Sequence, residues 1–166
     1  LKNMDVHYSS KTDQWATPDS FFQRLDSEFD FTLDPCADDT NAKCRRYFTE
    51  ADDGLAQDWA PERVFMNPPY GRVIGDWIAK AYEESRKGAQ VVALIPARTD
   101  TRYWHDYVMR ADEIRLVKGR LRFGDGKNSA PFPSAVVVWD MQDGQARAEG
   151  MPRLSAMENY IEKEAE

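Results

Sequence analysis

The stretch "VFMNPPYGR", residues 64–72, decides how the fold is read. Its apolar residues, Val64 to Met66, run straight into an asparagine, two prolines and a tyrosine. A short run that is apolar at every position suits a strand buried on both faces, as in a parallel sheet. Pro68 and Pro69 lack N–H groups and fix φ, so neither extends a hydrogen-bonded ladder. The residue before each proline is pushed toward an extended conformation, which stiffens Asn67 and Pro68. The chain therefore predicts a rigid corner at the carboxyl end of a buried strand, where ligands bind in an open parallel sheet.

The flanking sequence supplies the rest of such a sheet. Upstream, Thr17 is placed to cap a helix with Pro18 in its first turn, and Phe21, Phe22, Leu25 and Phe29 fall on one helical face. A short strand around Phe31 to Leu33 is stopped by Asp34-Pro35, and a second is expected at Tyr47-Phe48. Downstream, Val73, Trp77, Ile78, Ala81 and Tyr82 form a helix stripe that Gly88 ends. "QVVALIPAR", residues 90–98, holds another continuous apolar run, from Val91 to Ala97. A helix through 101–111, a strand at 113–118, a turn-rich loop at 121–133 and a last buried strand at 134–140 follow. Strands alternating with helices predict a three-layer α/β fold with a mostly parallel sheet. A single domain is expected over residues 1–166, with its core in 10–140. The acidic tail, 141–166, is expected to form a small helix from Arg153 through Leu154, Met157, Tyr160 and Ile161.

Composition bounds the function. At 166 residues, 42% hydrophobic and 12% aromatic, the chain reads as one ordinary globular domain. No apolar run approaches the ~20 residues needed to span a bilayer. The polar start "LKNMDVHYSSKTDQW" is unlike a secretory signal, so the cytoplasm is the default compartment. Cys36 and Cys44 lack the companion Cys or His pair of a structural zinc site, and two reduced thiols are expected, with no metal. His7 and His105 have no evident Ser or Cys partner, which argues against a histidine-based nucleophile. The net charge is −7, yet Arg98 to Lys127 carries eight basic and five acidic residues. Binding depends on the face presented, so this segment permits phosphate contact despite the acidic total.

Three strands are expected to end in polar residues along one sheet edge: Leu33 into Asp34-Pro35-Cys36, Met66 into Asn67-Pro68-Pro69-Tyr70, and Ile95 into Pro96-Ala97-Arg98. Asn67 offers a side-chain carbonyl acceptor, the prolines present carbonyls in a stiff geometry, and Tyr70 adds a flat ring. Two fixed acceptors beside an aromatic face suit a planar amide or amino-heterocycle. A conjugated NH2 group is a poor nucleophile because its lone pair is delocalised. Accepting both its hydrogens at a tetrahedral angle would turn that lone pair toward an electrophile, with no titratable base required.

The Asn67-Pro68-Pro69-Tyr70 corner resembles the asparagine-proline-proline-tyrosine (NPPY) signature of S-adenosylmethionine-dependent methyltransferases acting on amino or amide nitrogen. With "DQWATP", "LDPCA", "DGLAQDW", "VVALIPART" and "RLRFGDGKNSAPFPSAVVV", the chain is similar to the phage-type DNA N6-adenine methyltransferase (Dam) family of phages and prophages over roughly residues 10 to 140. The resemblance implies a Rossmann-like methyltransferase fold and S-adenosylmethionine as cofactor. It implies that Trp15, Thr17 and Pro18 meet the cofactor's methionine end, and that Asp34, Pro35 and Cys36 form the first cofactor loop. Asp58 and Trp59 would hold its adenine, and Asn67, Pro68, Pro69 and Tyr70 would catalyse. The glycine-rich first loop common among methyltransferases is replaced here by Asp34-Pro35-Cys36-Ala37. The acid gripping the ribose is left open among Glu50, Asp52 and Asp53, and plain core packing is the alternative for Trp15 and Trp59.

A target adenine inside a duplex must be flipped out before a pocket can reach it. Arg120, Arg122, Lys127 and Asn128, with Arg98 and Arg102 beyond a strand end, are the candidate DNA contacts. A solvated hairpin is the alternative for the loop. Little length remains for a separate recognition domain, so loops, aided by a second subunit in a homodimer, would read the site. Two other readings stay open: methylation of a protein glutamine amide, and a non-catalytic DNA-binding module of the same fold.

Overall fold

The computed structural model describes residues 15–140 and 150–159. Within them, seven strands form one sheet: β1 Leu33–Asp34, β2 Arg46–Tyr47, β3 Arg63–Met66, β4 Gln90–Pro96, β5 Glu113–Lys118, β6 Ser134–Asp140 and β7 Arg153–Glu158. Their order across the sheet is β2-β1-β3-β4-β6-β5-β7. The β1–β2, β1–β3, β3–β4 and β5–β7 pairs are parallel, whereas β6 runs antiparallel to both β4 and β5. Helices α1 Asp19–Phe29, α2 Ile74–Arg86 and α3 Arg102–Asp106 complete the regular structure, with short 3-10 turns at Gly54–Ala56 and Val108–Arg110. This is a mostly parallel, Rossmann-like methyltransferase fold.

The central strands β3, β4 and β6 are largely apolar because both faces are covered. In β4, Val91, Ala93 and Ile95 join the core beneath Trp77, Ile78 and Ala81 of α2, while Val92 and Leu94 join the opposite core beneath Phe21, Phe22 and Leu25 of α1. That alternation follows from the period-2 geometry of a strand. On the α1 side the loop between β5 and β6 contributes Leu121, Phe123, Ala130 and Phe132 to the packing, in place of a helix.

A buried carboxylate ties the layers together. Glu84 of α2 is fully buried, accepts from the backbone N–H groups of Trp59 and Ala60, and pairs with Lys80 and Lys87. These partners overcome the cost of burial and hold its carboxyl down at about 2. The Trp59 segment is thereby fixed against α2, with the Trp59 and Trp77 rings stacked.

Three expectations need correction. The small helix expected from Arg153 is not formed, because residues 153–158 pair in register with β5 as strand β7; Tyr160 and Ile161 lie outside the described residues. The helix expected over 101–111 is a five-residue helix followed by a 3-10 turn. Thr17 does not cap α1: Pro18 holds the N-cap position with no side-chain cap, and the Thr17 hydroxyl is engaged elsewhere. No helix among the described residues is long and apolar enough to cross a membrane.

Candidate active site

The carboxyl ends of β1, β3 and β4 lie side by side in the sheet, so the polar residues after them converge. After β3 come Asn67, the buried Pro68 and Pro69, and Tyr70, and Gly71 then turns the chain at φ +105, a conformation that favours glycine. Nothing lies within 4 Å of a Cβ placed there, so backbone conformation and not crowding explains the glycine.

The side chain of Asn67 is held in one orientation. Its Nδ2 donates to the carbonyl of Trp15 at 2.7 Å and to the hydroxyl of Thr17 at 2.9 Å. Both amide hydrogens are therefore used. Its Oδ1 is buried and has no hydrogen-bond partner among the described residues. A buried acceptor left unpaired costs about 1–3 kcal/mol, which marks it as an atom awaiting a ligand donor. The backbone carbonyl of Asn67 accepts from the thiol of Cys36 at 3.3 Å, joining the β1 and β3 corners. Burial pushes the Cys36 thiol well above its ordinary range, so it serves as a neutral donor.

Two cavities are lined by residues of this corner, one by Asn67 and the other by Tyr70. One, of about 550 Å³, is lined by Thr17, Pro18, Asp34, Cys36, Lys43 and Asn67, among others. The other, of about 490 Å³, is lined by Trp15, Tyr70, Arg98, Thr101, Tyr103 and Phe132, among others. The strap of residues 15–17 contributes to both, with Ala16 and Thr17 lining the first and Trp15 the second. Its Ala16 carbonyl accepts from the Gly124 N–H, so the strap also touches the β5–β6 loop.

Asp34 in the first cavity is 5% exposed. Its carboxylate accepts from the backbone N–H groups of Cys36 and Lys43, at 3.3 and 3.1 Å. Burial nevertheless outweighs these bonds and pushes its carboxyl up to about 6. A cationic group in this cavity would compensate that carboxylate. In the second cavity Tyr70 sits in an aromatic cluster with Trp15, Phe123 and Phe132. Its hydroxyl donates to the Leu94 carbonyl at 3.3 Å, and burial pushes its ionisation far up. Tyr70 is a fixed neutral ring, not a base.

The other expected residues divide between the site and its surroundings. Pro35 is buried between Asp34 and Cys36. Thr17 and Pro18 line the first cavity, but Trp15 lines the second. Asp58 is exposed, and Trp59 is fully buried with its indole N–H donating to the Gly54 carbonyl; neither lines these two cavities. Asp52 accepts from the backbone and hydroxyl of Thr49 within its own loop, whose N–H holds its carboxyl below the usual range. Arg98, Arg102, Arg120, Arg122, Lys127 and Asn128 are all exposed. Arg98 stands over the Phe132 ring at the second cavity, whereas Lys127 lies 3.8 Å from Asp125. The sequence reading did not single out Lys43, Thr101, Tyr103 or Phe123. For Phe123 and Phe132 there was a signal, two aromatics bracketing a glycine-rich loop.

A family model described as DNA N-6-adenine-methyltransferase (Dam) matches residues 6–145. The chain belongs to this Dam family. Among curated relatives of this Dam-family chain, Escherichia coli (strain K12) YfdM is 42% identical over 79 residues, covering 42% of the chain and 86% of YfdM. The DNA N-6-adenine-methyltransferase of Escherichia phage T1 is 27% identical over 111 residues, 66% of the chain and 46% of the T1 protein. That of Haemophilus phage HP1 (strain HP1c1) is 32% identical over 108 residues, 63% of the chain and 62% of the HP1 protein. The match thus spans about half to three-fifths of the two phage enzymes.

Proposed function

We propose that this chain transfers the methyl group of S-adenosylmethionine to the N6 amino group of adenine in DNA, after the base is flipped out of the duplex. The observation that carries the reading is the buried Oδ1 of Asn67, without a partner among the described residues and with both Nδ2 hydrogens already committed. An amide so fixed can only accept from a ligand, and an exocyclic NH2 group is a ligand that donates. Membership of the Dam family and the names of the phage relatives favour a DNA adenine over a protein amide as that donor.

The cavity beside Asn67 fits the cofactor. Thr17, Pro18, Asp34 and Cys36 line it, Pro35 stiffens the loop between them, and the carboxylate of Asp34 would offset the positive charge of the bound molecule. When bound, S-adenosylmethionine would supply an electrophilic methyl group on a sulfonium. Asp58, carried by the family resemblance alone, would accept from its adenine amino group.

The protein's part in the reaction is positioning. Asn67 Oδ1 and the carbonyl of Pro68 would each accept one N6 hydrogen, drawing the nitrogen toward tetrahedral geometry and freeing its lone pair. As N6 gains the methyl, positive charge grows on it, and the two acceptors stabilise that charge more than they stabilise the neutral substrate. The S–CH3 bonding pair would stay on sulfur as the methyl moves, and one N6 hydrogen would then be released as a proton to solvent water. Arg98, Arg102, Arg120, Arg122, Lys127 and Asn128 would contact the DNA backbone around the opening. The test is incubation with methyl-labelled S-adenosylmethionine and either DNA or cell protein, followed by digestion. Label in N6-methyladenine supports the reading; label in protein with none in DNA overturns it.

A further inference from the structure

We propose that the indole of Trp15 is the second wall of the slot that receives the target base, facing Tyr70 across it, with Phe132 as the floor. The proposal rests on the reading above that the corner methylates a nucleobase. It moves Trp15 from the cofactor side of the strap to the substrate side.

Three rings make the slot. Trp15 and Tyr70 are near-parallel, with an interplanar angle of 26° and centroids 6.3 Å apart. Phe132 stands across both, 5.1 Å from Trp15 at 63° and 5.4 Å from Tyr70 at 81°. All three line the same cavity of about 490 Å³. Stacked bases lie about 3.4 Å apart, so a base between parallel rings needs about 6.8 Å. Directly packed aromatic rings have centroids about 4.5–7 Å apart, so at 6.3 Å Trp15 and Tyr70 are in contact, and the base enters between them as the Trp15 indole swings outward. The swing is one of the Trp15 side chain alone, its backbone carbonyl staying on Asn67.

The slot also selects the chemical class of substrate. Two π faces bind a planar heteroaromatic ring by stacking, worth roughly 1–3 kcal/mol per base, which an aliphatic glutamine side chain cannot gain. At the same cavity, exposed Arg98 over the Phe132 ring is placed to meet the phosphate of the extruded nucleotide. The backbone of Trp15 has a separate task, since its carbonyl holds Asn67. Substituting the side chain leaves that carbonyl in the chain.

The experiment compares Trp15→Phe, Trp15→Leu and Trp15→Ala in methyl transfer to unmethylated plasmid DNA, with S-adenosylmethionine affinity measured by calorimetry. The stacking energy corresponds to roughly 5- to 150-fold, so Leu and Ala should raise KM for DNA by about tenfold or more. Phe should stay near the wild type, and all three should bind the cofactor within about twofold of it. Leu rescuing as well as Phe would reduce Trp15 to a packing residue and overturn the proposal. So would weakened cofactor binding with an unchanged KM for DNA. A wild-type protein that methylates no DNA would instead overturn the underlying function. If Trp15→Ala fails to fold, the Phe and Leu pair decides alone.

Discussion

The hydroxyl of Thr17 accepts a hydrogen bond from the side-chain amide of Asn67 at 2.9 Å, across 50 residues of chain. A residue whose local sequence suits a helix cap instead fixes which end of an amide faces outward. Thr17 is 4% exposed, so water cannot readily replace it. Thr17→Val keeps the shape and removes the acceptor, leaving a buried N–H without a partner. That loss is worth about 1–3 kcal/mol, and the amide gains reason to rotate. Methyl-transfer kcat should fall by about tenfold or more in Thr17→Val, while Thr17→Ser retains most activity. Steady-state assay of the three proteins checks this; equal activity of Val and Ser would remove the positioning role.

Asp34 gives the empty protein a pH dependence. Its folded carboxyl titrates at about 6, above the ordinary 3.8, so the folded state holds a proton that the unfolded state has released between those values. Its contribution to stability is fully present below about 3.8 and is lost as pH rises through about 6. Cofactor binding has the opposite sign, because a cationic ligand favours the carboxylate. Affinity for S-adenosylmethionine should drop about tenfold per pH unit below about 6 and level off above it. Asp34→Asn leaves one of the two backbone N–H donors unpaired, so the comparison is the pH profile and not the absolute affinity. The profile should become flat in calorimetric titrations from pH 5 to 8. A wild-type profile that is already flat would exclude Asp34 from the cofactor site.

The exposed basic residues of the β5–β6 loop predict a salt effect. Each phosphate neutralised releases counterions, so affinity for duplex DNA should fall steeply as salt rises. Arg122→Ala should reduce the slope of log affinity against log salt by about one. Lys127 lies 3.8 Å from Asp125 and should change the slope less. Fluorescence anisotropy over a salt series measures this. A wild-type slope near zero would favour a protein substrate.

Much of this architecture was legible because strand burial writes itself into composition. The apolar runs at 64–66 and 91–96 could be little else, and the turn chemistry after them located the corner. The direction of β6 was not legible: a strand covered on both faces is apolar whichever way it runs. The misreading at residues 153–158 has a similar cause. Leu154 and Met157 are three apart, as on a helix face, but pairing with β5 decides the conformation. Local sequence could not show that Asn67 would draw Thr17 away from a cap. Nor could it show that Trp15 and Thr17, two residues apart, line different cavities.

The most direct test of the account is the single-turnover rate of Asn67→Ala at saturating S-adenosylmethionine and DNA, with both affinities measured separately. An acceptor that acts mainly as charge develops on N6 should contribute to the rate far more than to binding. The account predicts a fall of about 100-fold or more in methyl transfer, with cofactor affinity changed only a few-fold. A folded Asn67→Ala protein that binds both ligands and methylates adenine at the wild-type rate would contradict it.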